Sequence, residues 1–174
     1  HLSIRRQRQM CIRDRPGIML SSAIKKYADY YGVVCGKKNV FFTNNDTAYE
    51  SAISLIKKGI KVEAIIDIRE KSESSIVKEA ENLGLKIFWS HTVVDTYGYK
   101  RLKQISLMEL SKDGQSTVGS KTRINCDCLG IAGGWTPAVH LFTQSGGKLK
   151  FRKEDQVFIP NKYTSEQISI GSCN

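Results

Sequence analysis

The chain has 174 residues, 40% hydrophobic and 25% charged, with a formal net charge of +10. That length supports one domain with a real core and is marginal for two. No apolar run approaches the roughly 20 residues of a membrane-crossing helix, and no apolar stretch follows the first basic residues as in a signal peptide. A soluble, cytoplasmic protein is expected.

Residues 1–15 (HLSIRRQRQMCIRDR) hold five arginines and one aspartate, so they carry +4 of the net charge. Met10 to Asp14 can be back-translated as ATG-TGT-ATA-AGA-GAC, which resembles a transposon end left by library preparation. The segment therefore reads as a sequencing or cloning artefact without ordered structure, and it is excluded from fold reasoning. The lysines beyond that segment are scattered, with pairs at Lys25-Lys26, Lys37-Lys38 and Lys57-Lys58 expected at helix ends and turns. Cations near a helix C-terminus complement its dipole, so a solvated basic surface is expected and no nucleic-acid partner.

Met19 to Tyr31 spaces Leu20, Ala23, Ile24, Tyr27, Ala28 and Tyr31 as a helix does, and Gly32 supplies the stop. Asn39–Thr43 reads as a short buried strand. Asn44-Asn45-Asp46 is a turn in which Asp46 has the chemistry of a helix cap. Thr47–Lys58 is a helix ended by Gly59, and Val62–Ile68 the next strand. Ser74–Leu83 is a second helix closed by Gly84, and Leu85–Trp89 a third strand. That β-α-β-α-β order with short connections predicts a parallel Rossmann-type half.

Beyond Trp89 the pattern alternates. Thr92–Tyr97, Arg101–Leu110 and Thr122–Cys126 read as strands separated by Gly98 and the SKDGQ turn, Ser111–Gln115. Leu129–Ala132 then returns to the parallel sheet and is broken by Gly133-Gly134. The fold class expected is α/β: a Rossmann-like three-layer domain with a parallel sheet and a small antiparallel meander. There are five cysteines. Cys126 and Cys128 form a C-x-C, not the C-x-x-C of zinc or redox sites, and no shared metal is expected. Reduced, buried thiols are expected.

A working dinucleotide half should carry G-x-G-x-x-G after its first strand, so that the backbone can approach a pyrophosphate at a helix N-terminus. The turn here is T-N-N-D-T-A, Thr43 to Ala48, without glycine. Asp46 adds negative charge where phosphate would sit. Asp67, at the end of the second strand, stands where a ribose-binding acid would. The expectation is dinucleotide architecture without a working fingerprint.

The order of parts resembles the inserted NAD(P)H-type domain of the two-dinucleotide-domain FAD/NAD(P) flavoprotein reductases. Ile131–Pro137 (IAGGWTP) stands where those proteins have A-x-G-x-x-P-N. Ile168–Asn174 (ISIGSCN) stands where they re-enter the first domain through a G-D turn, with the acid replaced. More closely, PGIML, FTNND, CDCLGIAGGW and TPAVHLFTQSGGKL, taken from Pro16 onward, resemble the alpha subunits of heterotetrameric sarcosine oxidases. The resemblance implies boundaries at 16–36 for a lead-in helix and linker, 37–147 for the inserted domain, and 148–174 for the return into the first domain. It implies NAD held in that first domain, of which Gly171, Ser172, Cys173 and Asn174 would be the part in this chain. FAD, FMN and tetrahydrofolate would lie elsewhere in the complex. The partners implied are the rest of the alpha chain and the beta, gamma and delta subunits. The activity implied is oxidative demethylation of sarcosine, with this stretch structural and not catalytic.

Trp135 and His140 could face a ligand at the carboxyl end of the sheet. The plainer reading is preferred, because no acid, nucleophile or second histidine lies nearby in sequence. In it Gly133-Gly134 make a turn, Pro137 opens a short helix, and Trp135, Val139 and Phe142 fill an apolar joint. His91 reads as a surface or capping histidine. No catalytic residue and no metal set is assigned. Two alternatives stay open: a subunit of a related opine or hydroxyproline dehydrogenase, and a stand-alone basic binding module.

Overall fold

The computed structural model describes residues 15–134, 137–152, 157–162 and 170–171. The chain divides into two compact units, 1–134 and 135–174. The basic segment read as an artefact lies outside the described residues except for Arg15.

In chain order the first unit contains strand β1 (Ile18–Leu20), helix α1 (Ser21–Tyr31), β2 (Asn39–Thr43), α2 (Thr47–Lys57), β3 (Val62–Asp67), α3 (Ser75–Asn82), β4 (Ile87–Trp89), β5 (His91–Tyr97), β6 (Gln104–Leu110), β7 (Thr117–Asn125) and β8 (Cys128–Ala132). Five strands form a parallel sheet in the order β1-β8-β2-β3-β4. The antiparallel sheet β5-β6-β7 is the meander expected from the alternating pattern.

The sheet has two apolar faces, and each is covered. Successive side chains of a strand point to opposite faces. Phe41, Ile65, Cys128 and Ala132 join Ile24, Tyr49, Ala52, Leu55 and Val77 from the three helices in one core. Val40, Ile66 and Leu129 join Leu102, Ile105, Leu107 and Cys126 in the other, beneath the meander. The layers are therefore helices, parallel sheet, antiparallel sheet. A strand buried on both faces has no polar side, which is why Asn39–Thr43 and Val62–Asp67 carry no polar alternation.

Four expected starts move by two or more residues, one of them the strand expected from Arg101, which begins at Gln104. Met19 and Leu20 belong to β1, paired in parallel with Gly130 and Ile131, and the helix begins only at Ser21. The third parallel strand begins at Ile87, not Leu85. The last meander strand begins at Thr117, five residues earlier than Thr122; a bulge around Gly119, at φ +78°, lets the extra residues pair with β6. The glycine stops hold: Gly32, Gly59 and Gly84 all have positive φ.

Cys126 and Cys128 lie in different cores, on opposite sides of the sheet, because they do not share a strand: β7 ends at Asn125, the chain crosses between the sheets at Cys126-Asp127, and β8 begins at Cys128; in one strand the two would have shared a face. Burial, reinforced by the Asp127 charge, pushes the Cys126 thiol up to about 12. Burial first, then neighbouring negative groups, pushes Cys128 up to about 12 as well. Both thiols stay neutral in the fold, whereas in the unfolded chain they ionise near 9.0. The unfolded state therefore binds fewer protons above that value, and stability is expected to fall as pH rises from about 9 toward 12. Urea midpoints across that window test this, and the slope should shrink in a Cys126→Ala chain. Pulse alkylation with peptide mapping should leave both thiols unmodified until the chain unfolds.

The second unit holds a short helix α4 (His140–Gln144) and an antiparallel hairpin of β9 (Lys148–Arg152) and β10 (Val157–Lys162). The Phe151 and Phe158 rings meet across the hairpin with centroids 5.2 Å apart. Gly147 lies against the buried Phe142 ring, where a Cβ would come within 2.5 Å of it. Among the described residues no helix is long and apolar enough to cross a membrane.

Candidate functional site

In an open parallel sheet, ligands bind beyond the carboxyl ends of the strands, where the strand order reverses. Here β2 is the central strand, followed through α2 by β3 on one side and flanked by β8 on the other. The crevice at that reversal lies between the exits of β2 and β8, with the start of α2 and the end of β3 beside it.

The residues of the glycine-free turn close that crevice. Asn44 donates its backbone N–H to the Ala132 carbonyl at 3.3 Å, and its side-chain amide donates to the Gly133 carbonyl at 3.2 Å. The Asn45 amide donates to Asn44 Oδ1 at 2.8 Å and to the Ala132 carbonyl at 3.4 Å. Gly134, at φ +92°, turns the chain away; a Cβ there would sit 3.6 Å from Asn44 Oδ1. Within the turn, Thr43 Oγ1 donates to the Asn45 carbonyl at 2.7 Å and accepts the Asn45 N–H at 3.1 Å.

Asp46 does not cap α2 as expected. The first N–H, from Thr47, is taken by Asn45 Oδ1 at 3.0 Å, and Asp46 makes no side-chain cap bond. Its backbone has already turned helical, which carries the carboxylate outward. There it accepts from Arg69 Nη2 at 2.7 Å.

Asp67 is fully buried, at 0% exposure. Its Oδ1 accepts the Arg69 backbone N–H at 3.0 Å and Nε at 3.1 Å. Its Oδ2 accepts Arg69 Nη2 at 2.8 Å and the Tyr49 hydroxyl at 2.9 Å. A carboxylate offers about four lone-pair sites, and all are engaged. Burial, together with the adjacent Asp67 charge, drives the Tyr49 phenol far above its ordinary value, so the hydroxyl remains a donor. The Asp67 hydrogen bonds, then those of Asp46, hold the Arg69 guanidinium firmly charged. Tyr49 in turn stacks on Trp89, at 6.3 Å between centroids.

A dinucleotide does not fit this arrangement. The helix start presents a carboxylate and a capped N–H where phosphate needs free donors. The acid at the strand end has no acceptor left for a ribose hydroxyl. Sequence reading located the turn and Asp67 but missed Arg69, because a pair 23 residues apart leaves no local pattern.

The remaining candidates are scattered. His91 Nδ1 lies 2.6 Å from the Trp89 carbonyl, and its ring packs on Phe88 at 5.6 Å; Ser90 between them has φ +53°. His140 is exposed at the start of α4, and its carbonyl accepts the Thr143 hydroxyl at 2.8 Å. Gly171 is exposed with φ +63°. Trp135, Ser172, Cys173 and Asn174 lie outside the described residues. Among the described residues no group of three His, Cys, Asp or Glu side chains could hold a metal.

No family model matches the chain. It is 35% identical over 161 residues, 91% of its length, to sarcosine oxidase subunit alpha of Corynebacterium sp. strain P-1. It is 32% identical over 167 residues, 92% of its length, to sarcosine oxidase subunit alpha of Rhizobium meliloti strain 1021. The chain spans only 16% and 15% of the length of those relatives. Among solved structures, T. acidophilum thioredoxin reductase matches with a TM-score of 0.59 at 19% identity, covering 91% of this chain and 52% of that one. That likeness establishes the fold, the Rossmann-like architecture of the FAD/NAD(P) flavoprotein reductases.

Proposed function

We propose that this chain, which belongs by sequence to the sarcosine oxidase alpha subunits, is an internal structural stretch of such a subunit. The observation that carries the reading is 35% identity sustained over 91% of the chain.

The whole assembly would be an oxidoreductase that demethylates sarcosine. It would pass the one-carbon unit to tetrahydrofolate and two electrons to oxygen, giving glycine and hydrogen peroxide. FAD, FMN and tetrahydrofolate would be held outside this stretch, by the rest of the alpha chain and the beta, gamma and delta subunits, in the cytoplasm. Within this stretch the role is support of NAD at Gly171, Ser172, Cys173 and Asn174. The positive φ of Gly171 fits a turn whose backbone N–H groups approach a ligand. The segments 16–36, 37–147 and 148–174 would be lead-in, inserted domain and return.

Tagging the gene in its source and purifying the assembly tests this. Several polypeptides that oxidise sarcosine with stoichiometric peroxide are expected. A lone polypeptide of 19.5 kDa without that activity would overturn it. A Gly171→Val variant should lose bound NAD while sarcosine oxidation persists; loss of both together would assign the turn a different role.

A further inference from the structure

We propose that Arg69 is the resident occupant of this domain's dinucleotide position, a tie that keeps the nucleotide-binding frame as a closed joint. In a working Rossmann half the ligand connects two fixed points, the helix N-terminus after the first strand and the acid at the end of the second. In this chain one guanidinium connects the same two points. Its Nη2 reaches Asp46 at the start of α2 at 2.7 Å and Asp67 at the end of β3 at 2.8 Å.

The tie is anchored and directional. Arg69 contributes its backbone N–H, Nε and Nη2 to Asp67, so the Nε–Nη2 edge of its planar fork is held by that carboxylate. Tyr49, one turn into α2, closes the same carboxylate from the helix side at 2.9 Å. The Ile68 N–H donates to the Thr43 carbonyl at 3.1 Å, and the Ser90 N–H to the Arg69 carbonyl at 2.9 Å. The exits of β2, β3 and β4 are thus joined through one residue. The guanidinium is 31% exposed and its two carboxylates are 40% and 0% exposed, so the Asp67 end of the tie is withdrawn from water while the Asp46 end stays partly solvated.

The tie follows from the geometry alone and stands whether or not the chain belongs to an amine-oxidising complex. Its test is backbone hydrogen exchange of residues 43–48 and 65–70 in the full chain. In the wild type, millimolar NADH or NADPH should leave those amides unchanged. Arg69→Met strands Asp67 as a buried, unpaired charge, and exchange there should quicken on the order of 100-fold. Adding Asp67→Asn to Arg69→Met removes that charge and should recover most of the protection. Nucleotide-dependent protection of 43–48 in the wild type would overturn the proposal. So would an Arg69→Met chain whose exchange is unaltered, or a double variant as labile as the single one.

Discussion

Truncating Phe41 to alanine is expected to destabilise the first unit by about 3–5 kcal/mol, the range for deleting a fully buried ring. Phe41 lies in the central strand, registered with Ile65 on β3 and Gly130 on β8. The ring reaches across β8, where a Cβ on Gly130 would lie 2.6 Å from Phe41 Cδ1 and 2.9 Å from Ile24 Cδ1. Gly130 is thus the cavity into which Phe41 fits. Gly130→Ala alone should cost about 1–3 kcal/mol by overpacking. In the Phe41→Ala background it should cost much less, because the methyl then occupies vacated space. Urea unfolding of the four chains gives the coupling. Additive losses would show that the ring and the glycine do not share that volume.

The second large effect is expected at Gly98. It ends β5 at φ +144°, and a Cβ there would fall 1.9 Å from the Arg101 carbonyl oxygen. The obstacle is backbone, so no side chain can swing aside. The turn also carries the Lys103 N–H to Tyr97 carbonyl bond at 2.8 Å, which starts the β5–β6 ladder, and the buried Leu102 follows directly. Gly98→Ala should cost about 3 kcal/mol, combining the backbone strain with the displaced turn. Gly114 is the control. It too has positive φ, +66°, but open space around its Cβ position. Gly114→Ala should cost only about 1 kcal/mol, the conformational part. Equal losses in thermal unfolding would mean that the clash at Gly98 relaxes.

Much of this architecture is legible in the residues. Apolar runs bounded by Gly59 and Gly84 mark β2-α2-β3-α3-β4, because a strand buried on two faces and a helix stopped by a left-handed glycine both leave local signs. Gly98 and the SKDGQ turn mark the meander in the same way. The strand at Ile18–Leu20 is not legible. Its three residues run straight into α1, continue the helical spacing, and are extended only because β8 lies beside them. The start of β7 is hidden for another reason: Thr117–Lys121 is exposed on both faces, so no alternation forms.

The site divides similarly. A missing glycine loop can be read directly, and the turn and its two asparagines are visible as turn chemistry. What those asparagines bind cannot be read, since their acceptors are carbonyls of Ala132 and Gly133, nearly ninety residues away. Asp46 reads as a cap because Asp before a helix usually is one; Arg69 takes the carboxylate instead. Asp67 reads as a ribose acid because of its place on the strand, whereas its hydrogen bonds to Tyr49 and Arg69 depend on packing.

The crevice at Thr43–Ala48 is closed by the chain's own side chains, and the nucleotide contact we propose lies only at the return turn. Photoaffinity labelling of the full-length protein with an azido-adenine NAD, followed by peptide mapping, tests it most directly. The label is expected on the peptide containing Gly171–Asn174 and absent from the peptide containing Thr43–Ala48. Label on the Thr43–Ala48 peptide, displaced by unmodified NAD, would contradict the account.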